Sequence, residues 1–159
     1  MPKRTSTLRW LLRAASQRAS VLSQRARQIA FPARVSSTRA QGTIAEELVE
    51  AHLRTLGYTP RARSAVTRKG EADLLMQAPT GELVIVEVKS RVRTSDASAR
   101  SNAAAPELAM TDDKRRRLLD IKRDLSRRNP HERFRVDLVA VELDEQNNVL
   151  AMRHYPSIV

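Results

Sequence analysis

No cysteine occurs anywhere in the 159 residues of this chain. That excludes a disulfide framework and any zinc site built on thiolates, and it fits a reducing compartment. The three histidines, His52, His131 and His154, are scattered and show no metal-ligand spacing, so they are assigned no chemistry. No apolar run approaches the roughly 20 residues that span a bilayer, which points to a soluble chain without a transmembrane segment. Nor does an uninterrupted apolar stretch follow Lys3 and Arg4, as a secretory signal requires.

Acid is also missing where base is dense. Residues 1–40 hold nine Lys or Arg and no Asp or Glu, while residues 41–159 hold the other twenty bases and all eighteen acids. Most of the net charge of +11 therefore belongs to an N-terminal arm, residues 1–40, expected to be poorly ordered. Leu8, Leu12, Ala15, Ala19, Leu22, Ala26 and Ile29 recur there at steps of four and three, a helical spacing that Pro32 ends. An acid-free, Arg- and Ser-rich amphipathic segment has the character of a mitochondrial transit peptide, of a basic arm that follows phosphates, or of a plain extension. The sequence pI near 11.2 makes nucleic acid the first expected partner and an anionic membrane surface the second.

The stretch Gly70 to Arg91, GEADLLMQAPTGELVIVEVKSR, organises the remainder, which is one domain's worth of chain from residue 41 to 159. Ala72, Leu74 and Met76 alternate with Glu71, Asp73 and Leu75, Pro79-Thr80-Gly81 supplies a turn, and Leu83 to Val88 resumes the strand pattern. Residues two apart share a face of a strand, so Glu87 and Lys89 continue the row of Leu83 and Ile85. Ionised groups in so apolar a strand need an offsetting partner. Two arrangements meet that need. One is a same-face Glu87–Lys89 ion pair with Asp73 solvated; the other is a cation held by Asp73 and Glu87, with the Val88 carbonyl as a third ligand. Mg²⁺ suits the second, since it takes one or two carboxylates and hard oxygen ligands.

Asp, a turn, and Glu-x-Lys closing an apolar strand resemble the core signature of restriction-endonuclease-like, PD-(D/E)xK, nucleases. More specifically, GEADLL followed by VIVEVKSR resembles the GEiDLI…VEVKtR core of the YraN family of small bacterial proteins. That resemblance implies an α/β restriction-endonuclease-like core, a mixed central sheet flanked by helices. It also implies a Mg²⁺- or Mn²⁺-dependent endonuclease that hydrolyses phosphodiester bonds in DNA, with branched or junction DNA a candidate substrate. A non-catalytic nucleic-acid-binding protein of the same fold is the alternative. Asp73, Glu87 and Val88 would be the metal ligands, with Lys89 and Glu46 as catalytic residues. Bacterial origin implies a cytoplasmic location, mitochondrial targeting by the arm being the minor alternative. A homo-oligomer is compatible with the resemblance, though no dimer face is visible.

The other segments fit around that hairpin. Ile44, Ala45, Leu48, Val49, Ala51 and Leu56 predict a helix over 42–56 that Gly57 stops, with Glu47 and Glu50 complementing its N-terminal dipole on a solvated face. The family's G..GE..A..yL...Gy segment matches Gly42, Ala45, Glu46, Val49, Leu53, Gly57 and Tyr58, with Ala45 in place of its second glycine. Tyr58 to Arg68 reads as a strand that Pro60 confines to an edge or places at the strand's first residues, the bases Arg61, Arg63, Arg68 and Lys69 serving either phosphate contact or edge protection. Among them Arg68 and Lys69, with Arg91 and Lys114, are the candidate nucleic-acid-binding residues. Val92 to Ala109 reads as a long loop that closes over substrate or has no role. Thr111 caps a helix running to about Asn129, on which Lys114 heads the apolar stripe and matches the lysine of the family's K..rl segment. Two strands, from Phe134 and from Val149, are joined by a turn at Asp144 to Asn148, with Asp137 expected to pair with an Arg or a helix end.

Overall fold

The computed structural model describes residues 38–94 and 106–159. The N-terminal arm up to residue 37 and the central part of the expected loop, residues 95–105, lie outside the described residues. Helix α1 spans Thr38–Thr55, β1 Thr59–Thr67, β2 Gly70–Gln77 and β3 Leu83–Val92. A short 3-10 helix follows at Pro106–Ala109, then α2 at Asp112–Arg128, β4 at Phe134–Leu143 and β5 at Val149–Tyr155.

The five strands form one mixed sheet in chain order. All neighbours are antiparallel except β3 and β4, which are parallel and joined by the crossover that contains α2. β1 is an edge strand with Pro60 as its second residue, both positions that proline tolerates, and the ladder slips between Pro60 and Ala62.

Alternation along β3 and β4 sends apolar side chains to both faces, and each face takes one helix. Val84, Val86, Val139 and Val141 pack with Ile44, Leu48, Val49 and Leu53 of α1. Ile85, Val136, Leu138 and Ala140 pack with Leu118 and Ile121 of α2. Fully burying a Leu or Ile contributes about 1.5–3 kcal/mol, so these two clusters fix the helices against the sheet.

Helix α1 differs from expectation in three respects. It starts at Thr38, so Glu46, Glu47 and Glu50 lie beyond its first turn and do not complement its dipole. Glu50 is not solvated but 3 % exposed, because Arg63 of β1 and Arg54 of its own helix both bind its carboxylate. Leu53 takes the core position expected of Leu56, which is exposed. The end is as read: Gly57 has φ +85°, and the Gly57 and Tyr58 N–H groups donate to the Arg54 and Leu53 carbonyls, closing the helix in a Schellman arrangement.

Candidate functional site

The two strands of the central hairpin separate where the acids lie. β2 and β3 pair from Gln77↔Leu83 to Leu74↔Val86 and no further. Continued pairing would set Ala72 opposite Val88. Instead the Val88 N–H donates to Asp73 Oδ2 at 2.7 Å, so a side chain replaces a backbone rung. Beyond this point Ala72 packs on the α2 side of the sheet, whereas Leu74 and Met76 pack on the α1 side. The separation lets groups from both helices approach the same carboxylates.

Glu87 is 1 % exposed, and each of its oxygens faces an ammonium. Lys89 Nζ donates to Oε1 at 2.6 Å. Lys114 Nζ lies 2.9 Å from Oε2 in an ion pair whose geometry is not that of a hydrogen bond. Lys114 is delivered by the helix cap: Thr111 accepts the Lys114 N–H at 3.2 Å, which starts α2 and puts this lysine in its first turn. Glu46 enters from α1 on the other side of the sheet.

The carboxylates disturb one another. Burial and then the Glu87 charge push the Asp73 carboxyl up to about 6, although the Val88 N–H and both lysines oppose the shift. Burial, followed by Asp73 and Glu71, also raises Glu46. Such a crowded set of hard oxygens is relieved by added positive charge, and in that chemical sense it fits a divalent cation. Glu87 is nevertheless paired with two lysines, and no group of three or more His, Asp or Glu is arranged to hold an ion among the described residues.

Residues 45–141 match the model of the Uncharacterised protein family UPF0102, the YraN family. The chain belongs to this family. A UPF0102 protein of Cupriavidus pinatubonensis is 41 % identical over 89 residues, covering 56 % of this chain and 65 % of the relative. Another, from Anaeromyxobacter sp., is 33 % identical over 117 residues, covering 72 % of this chain and 81 % of the relative. A third, from Bifidobacterium longum, is 35 % identical over 106 residues, covering 64 % and 80 %. The chain spans 65 %, 42 % and 44 % of the length of three Cupriavidus relatives it matches. The UPF0102 match includes Glu46, Asp73, Glu87, Lys89 and Lys114 and ends before β5.

Of the expected site residues, Glu46, Asp73, Glu87, Val88, Lys89 and Lys114 are thus brought together. Val88 contributes its N–H to Asp73, a contact separate from the carbonyl proposed as a ligand. Arg68 and Lys69 are exposed in the β1–β2 turn. Arg91 has its guanidinium 3.4 Å from Glu142 on β4. Arg63, read as serving phosphate contact or edge protection, is bound to Glu50 and Glu47. Among the described residues no helix is long and apolar enough to cross a membrane.

Two polar networks in this UPF0102 protein go beyond the expected pairing of Asp137 with an Arg, which Arg135 supplies. Asp137 is fully buried and binds Arg135 on its own strand, His154 Nε2 at 2.8 Å and the Ser157 N–H at 3.0 Å. Burial alone would raise its carboxyl, but the contacts with His154, Ser157 and Arg135 hold it below its usual value. Arg135 continues to Glu82 and the Tyr58 hydroxyl. The second network anchors the 3-10 helix, contrary to its reading as open loop: Glu107 accepts from Arg153 and from Tyr155, whose hydroxyl burial and Glu107 push up to about 12. The partners come from separate elements, Tyr58, Glu82 and His154 around β4 in the first network and the 3-10 helix with β5 in the second, so the signal in the sequence was charge within the otherwise apolar β4 and β5.

Proposed function

We propose that this chain is a divalent-metal-dependent endonuclease with a restriction-endonuclease-like core, hydrolysing phosphodiester bonds in DNA, including branched or junction DNA. The observation that supports it is the parting of β2 from β3 at Asp73, which leaves Asp73, Glu87, Lys89, Lys114 and Glu46 around one gap. Mg²⁺ or Mn²⁺, when bound, would supply Lewis-acid stabilisation of charge on the phosphate. Asp73 and Glu87 would hold the ion, assisted by the Val88 carbonyl. Lys89, held on Glu87, would orient the attacking water by hydrogen bonding. Glu46, whose carboxyl is raised by burial and then by Asp73, would assist as an acceptor for the proton that water loses. Lys114 would face the charge that develops on the phosphate.

A second reading, a nucleic-acid-binding protein without catalysis, is favoured by the full occupation of Glu87 by two lysines. One experiment separates them. Single-stranded, duplex, flap and four-way-junction DNA are incubated with wild type, Asp73→Ala and Lys89→Ala in Mg²⁺ or Mn²⁺, and binding is recorded on the same samples. Metal-dependent cutting lost in both variants while binding persists supports the nuclease. Binding with no cutting under any condition supports the second reading.

A further inference from the structure

The basic surface of α2 is not uniform. Arg116 and Arg123 are matched by Asp113 and Asp120 at 3.0 and 3.3 Å on the exposed side of the helix. On the side next to the sheet, Lys114, Arg117, Ile121, Asp124 and Arg128 fall within one stripe, since steps of three and four return to the same face. Ile121 is buried there, Lys114 meets Glu87, and the remaining members border the β1–β2 turn.

That turn is hydrogen-bonded across its base and carries cations outward. Thr67 Oγ1 donates to the Gly70 carbonyl at 2.9 Å and accepts the Lys69 N–H at 3.1 Å, leaving Arg68 and Lys69 exposed between them. Gly70 has φ +138°, and a Cβ there would come within 3.2 Å of Arg117 Cδ, so the bare glycine backbone is the seat of the Arg117 stem. Further along, Val66, Thr67, Arg68, Asp124 and Arg128 line a cavity of about 540 Å³. Asp124 holds Arg128 at 2.7 Å. Among the described residues Arg68, Lys69 and Arg117 make no salt bridge with an acid.

We propose that this seam between α2 and the β1–β2 turn is a track for the sugar-phosphate backbone of one nucleic-acid strand, running from the Asp73–Glu87 gap along Lys114, Arg117, Arg68 and Lys69 to Arg128. The proposal rests on the nucleic-acid reading of that gap and adds the path of the strand. From Lys114 to Arg128 the helix advances about 21 Å at 1.5 Å per residue, the rise of about six phosphates of a B-form strand at 3.4 Å each. The contacts are to phosphate and carry no sequence preference.

The test is fluorescence anisotropy of the full chain with a labelled 20-base-pair duplex in EDTA, over 50 to 200 mM salt. Arg68→Gln/Lys69→Gln/Arg117→Gln is compared with Arg116→Gln/Arg123→Gln on the opposite helix face. Losing three phosphate contacts makes the slope of log affinity against log salt shallower by about 2.7, so the affinity drop across that salt range shrinks about fortyfold. The opposite-face pair changes the slope by less than about 1. An unchanged slope in the triple variant, an equal change in the opposite-face pair, or no binding by wild type overturns the track. So does a loss seen only with phosphatidylglycerol vesicles, measured in parallel. Melting curves verify folding, and single Arg68→Gln and Lys69→Gln variants, each expected to lower the slope by about 0.9, replace the triple if it melts early. Cutting of DNA by wild type with Mg²⁺ is scored separately: a slope effect without cutting keeps the track and removes the nuclease, and cutting without a slope effect does the reverse.

Discussion

The Asp73 carboxylate takes the Val88 N–H at 2.7 Å and so ends the β2–β3 ladder at the point where Glu87 is buried. The hydrogen bond satisfies an amide that the parted strand would otherwise leave open. It also draws one negative charge close to another, and the cost is borne by Asp73, whose carboxyl titrates at about 6.

Asp73→Asn is therefore expected to stabilise the metal-free protein. Asn keeps an acceptor for Val88 and carries no charge. Because the folded-state value, about 6, exceeds the ordinary 3.8, the folded state binds more protons between these values, and wild-type stability falls as pH rises through the window. The gap corresponds to at most about 3 kcal/mol. Urea denaturation in EDTA should show the variant ahead by about 1–3 kcal/mol at pH 7 to 8, with the advantage gone below about pH 4. A constant difference at all pH values would remove the electrostatic explanation.

Asp137 should behave in the opposite way. Its carboxyl is held below 3.8 by His154, Ser157 and Arg135 against the effect of burial, so it contributes stability above its unfolded value that is lost as pH falls through the folded one. Asp137→Ala leaves Arg135 and His154 without their shared partner and is expected to cost roughly 3–5 kcal/mol. Urea midpoints from pH 7 to pH 3 check both statements: the deficit should be largest near neutrality and shrink in acid.

What could be read from the sequence was local. The central hairpin, the Thr111 cap, the Gly57 stop and the edge position compatible with Pro60 each follow from a few neighbouring residues. The grouping of Asp73, Glu87 and Lys89 was visible as one option in the hairpin's spacing, while the addition of Glu46 and Lys114 came from resemblance, since strand and helix periodicity do not say which faces meet. Glu50 was misplaced because its partner Arg63 lies on another element, and burial of an acid cannot be read without that partner. Asp137–His154 and Glu107–Arg153 are hidden for the same reason, being 17 and 46 residues apart along the chain. The early start of α1 at Thr38 was missed because the Glu cluster resembles a first turn.

Gly70→Ala tests the seat of Arg117. The substitution combines φ +138° with a Cβ 3.2 Å from Arg117 Cδ. The arginine stem can move, so most of the loss comes from backbone strain, about 1–3 kcal/mol. Adding Arg117→Ala to Gly70→Ala removes the contact but not the strain, and the melting temperature should recover only slightly. Full recovery would show that the clash, not the backbone, sets the cost.

Glu87 and Lys114 offer a test of how the buried acid is held. Lys114 is 24 % exposed at its side chain while Glu87 is 1 % exposed, so the lysine can shed its partner into water and the glutamate cannot. Lys114→Met should then cost about 1–2 kcal/mol by leaving Glu87 with Lys89 alone, and Glu87→Gln should cost less, because it removes the charge that needs compensation. In the double-mutant cycle the two substitutions should couple by about 1 kcal/mol. The same variants measured with Mg²⁺ separate structure from binding: if the ion engages Glu87, removing Lys114 frees one carboxylate oxygen and the gain in melting temperature on adding Mg²⁺ should be larger in Lys114→Met than in wild type. An equal gain in both, or none in either, would mean that the Glu87 carboxylate stays with its lysines and that the pair serves the fold alone.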